Sequence, residues 1–169
     1  DKVRVIATIP TDYNIIWGVT CVEETDAWID GNMQTFTRID INGTVKDTVI
    51  TTCQYGSRGV ALTREGEMIF SDSKSKRVNI VRQGKSKVLI TTPKGWSPWG
   101  LCCTQSGDIL VQVFSLGVQK IIRYQGQRII QEINYDQVNS FFVFGFNSNC
   151  LCRRITMGIS VSLIPKLTP

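Results

Sequence analysis

Few side chains in this sequence of 169 residues are suited to catalysis, because the sequence contains no histidine. Without histidine there is no conventional Ser-His-Asp or Cys-His arrangement, and the commonest general base at neutral pH is missing. Three acidic residues, Asp26, Glu67 and Asp108, recur at intervals of 41 residues. Acids at equivalent positions of a repeat suit a structural role in turns better than a converging pair of catalytic carboxylates. We therefore expect no enzymatic activity and no cofactor.

The cysteines do not form a metal-binding pattern. The sequence has six of them, with no CxxC pair and no neighbouring histidine: Cys21, Cys53, Cys102, Cys103, Cys150 and Cys152. Adjacent cysteines on a strand point to opposite faces, so Cys102 and Cys103 cannot easily share a metal ion. We expect no metal site, and we interpret the cysteines as buried free thiols of a cytoplasmic protein.

The charge balance is basic, with a net charge of +5 and a pI near 9.0. Such an excess is compatible with acidic partners such as RNA, anionic lipid or acidic proteins, and equally with an ordinary solvated surface. No apolar stretch approaches the roughly 20 residues that a membrane span requires. We expect no membrane insertion.

Glycines reveal an internal repeat. Trp17-Gly18, Arg58-Gly59 and Trp99-Gly100 recur every 41 residues, with the same interval as the three acids. A second set of glycines in turn-like contexts agrees with this period to within one residue: Gly43, Gly84 and Gly126. Two anchors at a single period predict a repeat architecture.

Each repeat contains short apolar runs rich in β-branched residues, separated by Gly, Asn or Asp, which is typical of strands. In the middle repeat we predict strand a at 59–63, strand b at 67–71, strand c at 77–82 and strand d at 87–91. Four antiparallel strands in about 41 residues are the blade of a β-propeller. The alternative, a β-sandwich, would not repeat with side-chain register.

The predicted fold is therefore all-β, a partial β-propeller of about three four-stranded antiparallel blades with a leading strand. We predict the closing strand of a preceding blade at 1–10, blades at 11–52, 53–93 and 94–136, and a divergent tail without the repeat pattern at 137–169. The first residue is Asp1 and no initiator Met precedes it, so we expect a fragment or a processed product.

The middle repeat resembles a known family. The segment from Arg58 to Asp72, RGVALTREGEMIFSD, followed by KRVNI at 76–80, resembles an NHL repeat. The segment WGLCCTQSGDILV at 99–111 is similar to the divergent form found in invertebrate tripartite-motif-like (TRIM-NHL) proteins. The first repeat matches least, because Glu24-Thr25-Asp26 replaces the glycine turn and Asp30-Gly31-Asn32 replaces the acid that ends the strand.

This resemblance implies a six-bladed ring in the complete protein, where a RING finger carries ubiquitin-ligase chemistry and the propeller recognises a protein or RNA substrate. The chain contains no RING finger, so we expect no ligase activity from it. Alternatives are a pure protein-interaction scaffold and an extracellular adhesion propeller. The sequon Asn42-Gly43-Thr44 is relevant to the last of these, although Asn-Gly also favours a hairpin turn.

One end of the predicted blades is both basic and aromatic. In a four-stranded antiparallel blade the b–c and d–a loops lie at the same end. The ligand-binding residues that we predict at this end are Tyr55, Arg58, Lys74, Lys76, Arg77, Lys94, Trp96 and Lys120. Cations can bind phosphates and rings can stack on unpaired bases, so we predict a surface for RNA or for an acidic protein. We interpret Trp17 and Trp99 as core packing residues instead.

A half-ring would leave apolar blade faces uncovered. Repeat arrays depend on the interfaces between neighbours, so exposed blade faces should pair with something. We therefore predict poor behaviour as a monomer and possible self-association.

Overall fold

The computed structural model describes residues 8–22, 25–51, 53 and 57–134, and these contain twelve β-strands and no helix. The strands are Ile16–Cys21 (β1), Asp26–Gly31 (β2), Thr35–Asp40 (β3), Val45–Ile50 (β4), Val60–Leu62 (β5), Met68–Asp72 (β6), Arg77–Arg82 (β7), Lys85–Thr91 (β8), Ser97–Cys103 (β9), Ile109–Ser115 (β10), Val118–Gln125 (β11) and Arg128–Asn134 (β12).

The strands form three four-stranded antiparallel sheets, in which each strand pairs with the next along the chain. The first sheet is β1 to β4, the second is β5 to β8 and the third is β9 to β12. This confirms the all-β fold with three four-stranded blades. The predicted ranges of the blades stay predictions. The first seven residues of the leading strand and the whole tail at 137–169 lie outside the described residues.

Glycines in left-handed backbone conformations make the turns between strands c and d. Gly43 has a φ of 83° and Gly84 has a φ of 69°, a region that costs other residues a clash at Cβ. In the first sheet, the Asp40 carboxylate also accepts hydrogen bonds from the backbone N–H groups of Asn42 and Thr44, both at 2.9 Å. The Gly43 N–H donates to the Asp40 carbonyl at 2.9 Å, so Ile41 and Asn42 are the central residues of the turn and Gly43 follows them. The two-residue Asn-Gly turn expected from the sequence is therefore replaced by a turn one residue longer.

Apolar side chains fill the space between neighbouring sheets. Between the first and second sheets, the rings of Phe36 and Phe70 lie with their centres 5.2 Å apart. The buried residues around them are Trp28, Val49, Cys53, Val60 and Met68. A second cluster joins the second and third sheets and includes Ala61, Ile69, Val78, Ile80, Ile90, Leu101, Ile109, Val111, Val113, Ile122 and Tyr124. Each pair of neighbouring sheets thus buries the faces that meet between them.

The repeat glycine allows the first strands of adjacent sheets to approach closely. A Cβ atom on Gly59 would lie 2.4 Å from the backbone oxygen of Trp99, which no side chain can tolerate. The same carbonyl accepts a hydrogen bond from the Ser71 hydroxyl at 2.7 Å. The Ser73 hydroxyl donates to the Pro98 carbonyl at 2.6 Å. These contacts fix the second sheet against the third.

Candidate recognition surface

The b–c turns and the links between sheets lie at one end of the three blades, which we call the upper end. It comprises the b–c turns at 32–34, 73–76 and 116–117 and the links at 51–59 and 92–96, of which 52 and 54–56 lie outside the described residues. The adjoining ends of strands a, b and c share this location because the strands are antiparallel.

A row of stacked side chains crosses the upper end. The Arg58 guanidinium carbon lies 5.1 Å from the ring centre of Trp17 and 5.6 Å from that of Trp99. The ring of Trp99 stacks on Phe114, with centres 5.2 Å apart and planes inclined by 25°. The order of the row is thus Trp17, Arg58, Trp99 and Phe114. We call it the stacked row.

The first three members of the stacked row occupy equivalent positions of the three repeats. Each directly precedes the repeat glycine at the start of strand a. The second and third sheets approach closely at Gly59, and the side chain before each repeat glycine meets its counterpart in the next blade. Trp17 is 40% exposed, and the expectation that it belongs to the core is wrong. No described blade precedes the first one and covers Trp17, whose ring faces Arg58.

A second aromatic and cationic contact lies in the third blade. The Lys120 ammonium is 4.3 Å from the ring centre of Trp96, a favourable cation–π arrangement. The same nitrogen pairs with the Glu132 carboxylate at 2.7 Å. Lys120 is therefore partly neutralised by Glu132, and Trp96 has a cation against its ring.

The b–c turn of the second blade presents three cations. The Asp72 carboxylate accepts hydrogen bonds from the backbone N–H groups of Lys74 and Ser75, both at 3.1 Å, which shapes the turn. Lys76 adopts a φ of 59°, and the side chains of Lys74, Lys76 and Arg77 are all exposed. Lys94 is exposed in the neighbouring link of the third blade.

Of the predicted surface residues, Tyr55 lies outside the described residues. The other seven lie at the upper end, in two chemically different groups. Arg58, Trp96 and Lys120 take part in cation–π contacts. The other four are exposed cations at the b–c turn of the second blade, at the start of β7 and in the link to the third blade: Lys74, Lys76, Arg77 and Lys94. The stacked row was not predicted from the sequence. The shared repeat position of Trp17, Arg58 and Trp99 was the signal that could have found it.

The geometry of the sheets can be compared with solved structures. A WD40 β-propeller domain of Doa1 matches with a TM-score of 0.58 and 22% identity over 72% of this chain and 41% of that chain. A streptogramin B lyase matches with a TM-score of 0.59 and 16% identity over 78% of this chain and 44% of that chain. The fold is that of a β-propeller. A gluconolactonase from Xanthomonas campestris matches similarly, with a TM-score of 0.57 and 15% identity over 68% of this chain and 46% of that chain.

The propeller blades described here span less than half the length of each of these three proteins. Identities below 25% show the common fold alone, and the three proteins include both a WD40 domain and enzymes. No protein-family model matches the chain. No curated protein matches it either.

The recurring acids of the propeller pair with arginines on strand c of their own blades. Asp26 pairs with Arg38 at 2.7 Å and Glu67 with Arg82 at 2.7 Å. Asp108 pairs with Arg123, whose Nε donates at 2.8 Å. The guanidinium groups lower the pKa values of Glu67 and Asp108. The acids thus join strand b to strand c at the end of each blade away from the upper end, and the three do not converge.

Buried titratable groups in the described residues do not form a reactive site. Burial raises the pKa of the Cys53 thiol to about 12, so this thiol stays neutral and is a poor nucleophile. Cys53 and Cys102 are buried and Cys103 is half-buried, but Cys21 is exposed, so the expectation of buried thiols is wrong there. Cys21 lies on the first strand of the first blade, where no described blade covers it.

The described residues contain no group of three or more His, Cys, Asp or Glu side chains able to hold a metal ion. They also contain no helix that could cross a membrane.

Proposed function

We propose that this chain is a non-catalytic recognition module whose upper end binds single-stranded RNA. The observation that carries the proposal is the concentration of cations and aromatic rings at one end of the blades. The stacked row crosses this end, and the cations Lys76, Arg77 and Lys94 are exposed there. The NHL-like segment from Arg58 to Asp72 adds support, and we assign the module to the substrate-recognising propellers of tripartite-motif-like proteins in the cytoplasm.

Single-stranded RNA has the chemistry that such a surface recognises. Its phosphates attract cations, and its unpaired bases stack on side-chain rings, each stack being worth about 1–3 kcal/mol. Binding through phosphates releases counterions, so the affinity falls as the salt concentration rises. A surface that combines both features is expected to bind RNA with little sequence preference and with a strong dependence on salt.

Charge reversal at the upper end tests the proposal. The variant Lys76→Glu, Arg77→Glu and Lys94→Glu is compared with the control variant Arg64→Glu, Lys85→Glu and Lys87→Glu, which makes the same change in net charge away from the upper end. The affinity for a fluorescent single-stranded RNA is measured at several salt concentrations. The upper-end variant should lose at least about 100-fold in affinity and show a shallower salt dependence, while the control stays close to the wild type. Equal losses in the two variants would refute a localised surface.

A protein partner is the second candidate, because the upper end also exposes apolar side chains. Leu116 in the b–c turn of the third blade is 98% exposed, and Ile15 before β1 is 52% exposed. An apolar protein contact should weaken little with salt. Salt-insensitive binding of a protein together with no measurable RNA affinity would favour an interaction scaffold over RNA recognition.

A further inference from the structure

We infer that Arg58 is the phosphate-binding centre of this surface and that the base of the bound nucleotide stacks on Trp17. The inference rests on the proposed function, because it assigns the residues through which the upper end would hold single-stranded RNA.

The surroundings of Arg58 differ from those of the paired arginines. Arg38, Arg82 and Arg123 each have a carboxylate partner within their own blade. The contacts that the described residues make with the Arg58 guanidinium are the rings of Trp17 and Trp99, and no described carboxylate pairs with it. No described oxygen accepts a hydrogen bond from this guanidinium, so its N–H donors are available to an oxyanion.

The two rings also restrict the motion of Arg58. Trp17 belongs to the first blade and Trp99 to the third. The Arg58 guanidinium of the second blade therefore lies between side chains of the two sheets that flank its own. An arginine held in this way loses less conformational freedom when it binds a ligand than an arginine on a free turn. Its planar fork can donate two parallel hydrogen bonds to a phosphate.

The Trp17 end of the stacked row is its more exposed end, since Phe114 at the other end is half-buried. The Trp99 ring contacts the Arg58 guanidinium and also stacks on Phe114, so it already has two partners. Trp17 begins the row and is 40% exposed. A base placed on Trp17 would extend the row, while the phosphate of the same strand reaches Arg58. A nucleotide supplies both groups, whereas an acidic side chain of a protein supplies only the oxyanion, and this favours RNA.

Two variants of Arg58 separate the contribution of its positive charge to RNA binding from that of its planar pair of hydrogen-bond donors. Arg58→Gln should weaken binding of single-stranded RNA about tenfold and reduce the slope of log affinity against log salt by about 0.7, the contribution of one phosphate contact. Arg58→Lys keeps the charge, so the slope should persist, but the affinity should fall several-fold because the two-pronged contact is lost. Thermal melting of each variant shows whether it is folded.

Tryptophan fluorescence follows the stack directly. RNA should quench the emission of the wild-type chain, and Trp17→Leu should lose most of this quenching and about tenfold in affinity. Trp17→Phe retains a ring and should recover part of the affinity. Trp28→Phe, at a residue buried between the first two blades, is the matched control and should leave the affinity unchanged.

The outcomes separate this inference from the proposed function. If the wild type binds RNA but Arg58→Gln and Trp17→Leu, both folded, bind as tightly, the inference is overturned and RNA binding stands. If these variants melt at lower temperature with unchanged affinity, the stacked row only joins the blades. If the wild type binds a polyglutamate peptide and no RNA, both the proposed function and the inference fail.

Discussion

Asp30 is a buried carboxyl group on strand β2, only 3% exposed, at the position that Ser71 occupies in the second blade. It lies against the backbone of Gly18, and burial raises its pKa to about 6. Because this pKa is higher in the folded chain than in the unfolded one, the folded chain holds the proton more tightly. The contribution of Asp30 to stability therefore decreases as the pH rises from about 4 to about 6 and stays constant above that.

Asp30→Asn should remove this cost. The variant is expected to be more stable than the wild type by on the order of 2–3 kcal/mol at pH 7.5, and by much less at pH 4. Urea denaturation of both proteins at several pH values measures the difference. Other carboxylates contribute equally to the two proteins, so their titration cancels. A difference that does not change with pH would show that Asp30 is not the titrating group.

Tyr124 is a buried phenol whose hydroxyl group has no hydrogen-bond partner among the described residues. Burial is also the main cause that raises its pKa to about 12. An unpaired buried hydroxyl destabilises a fold, so Tyr124→Phe should raise the free energy of unfolding by about 1 kcal/mol. The check is chemical denaturation at pH 7, and a clear loss of stability would mean that the hydroxyl has a partner in solution.

At the scale of single residues, the sequence predicted the chemical character of the upper end better than the contacts that its individual side chains make. The basic and aromatic character of the upper end could be inferred because the antiparallel strand order determines which loops share an end. The exposure of Trp17 could not be inferred. A tryptophan on an inner strand is usually buried, and whether it is depends on the neighbouring blade. The pairing of Lys120 with Glu132 needed the register between β11 and β12.

Within each blade, strand b is joined to strand c by the acid–arginine pairs, which differ in burial. The side chain of Asp108 is 4% exposed and also accepts a hydrogen bond from Ser106, whereas that of Glu67 is 30% exposed. An ion pair exposed to water adds little to stability, but removing the partner of a buried carboxylate leaves an unpaired charge. The pair in the third blade should therefore matter more than the pair in the second.

Arg123→Gln is accordingly expected to lower the melting temperature by several degrees, and Arg82→Gln to lower it far less. Both remove one guanidinium from strand c at equivalent repeat positions, so each is the control for the other. Differential scanning calorimetry at neutral pH gives the comparison. Because Arg123 lowers the pKa of Asp108, the difference should shrink as the pH falls and this carboxylate is protonated. Equal effects would show that burial does not set the strength of these pairs.

The strands themselves were predicted well, because glycine turns and β-branched runs are local signals. In the second blade, β7 matches its predicted bounds, while β6 is shifted by one residue and β8 begins two residues earlier. The arginine partners were not predicted, although Arg82 and Arg123 are also 41 residues apart. Asp26 and Arg38 are closer in sequence than the other pairs, so the repeat alone does not reveal the set.

At the scale of the whole molecule, stability depends on interfaces between sheets, and no described sheet packs against the outer face of the first blade. Val60 and Leu101, the first apolar residues after the repeat glycine, are 2% and 0% exposed because the preceding blade covers them. Val19 has the same repeat position but is 50% exposed. Among the described residues, this repeat has no neighbour on the face where the other two repeats stack.

The open face should make the chain self-associate, and Val19→Lys should weaken that association. Light scattering after size exclusion, at several protein concentrations, is expected to give an average mass that rises with concentration for the wild type and rises less for this variant. Val88→Lys is the matched control, because Val88 is 47% exposed but lies on the outer strand β8. A lysine there adds the same charge without touching the face that stacks. If both variants reduce the average mass equally, general charge repulsion explains the effect. If neither variant reduces the average mass, copies of the chain do not associate through this face of the first blade.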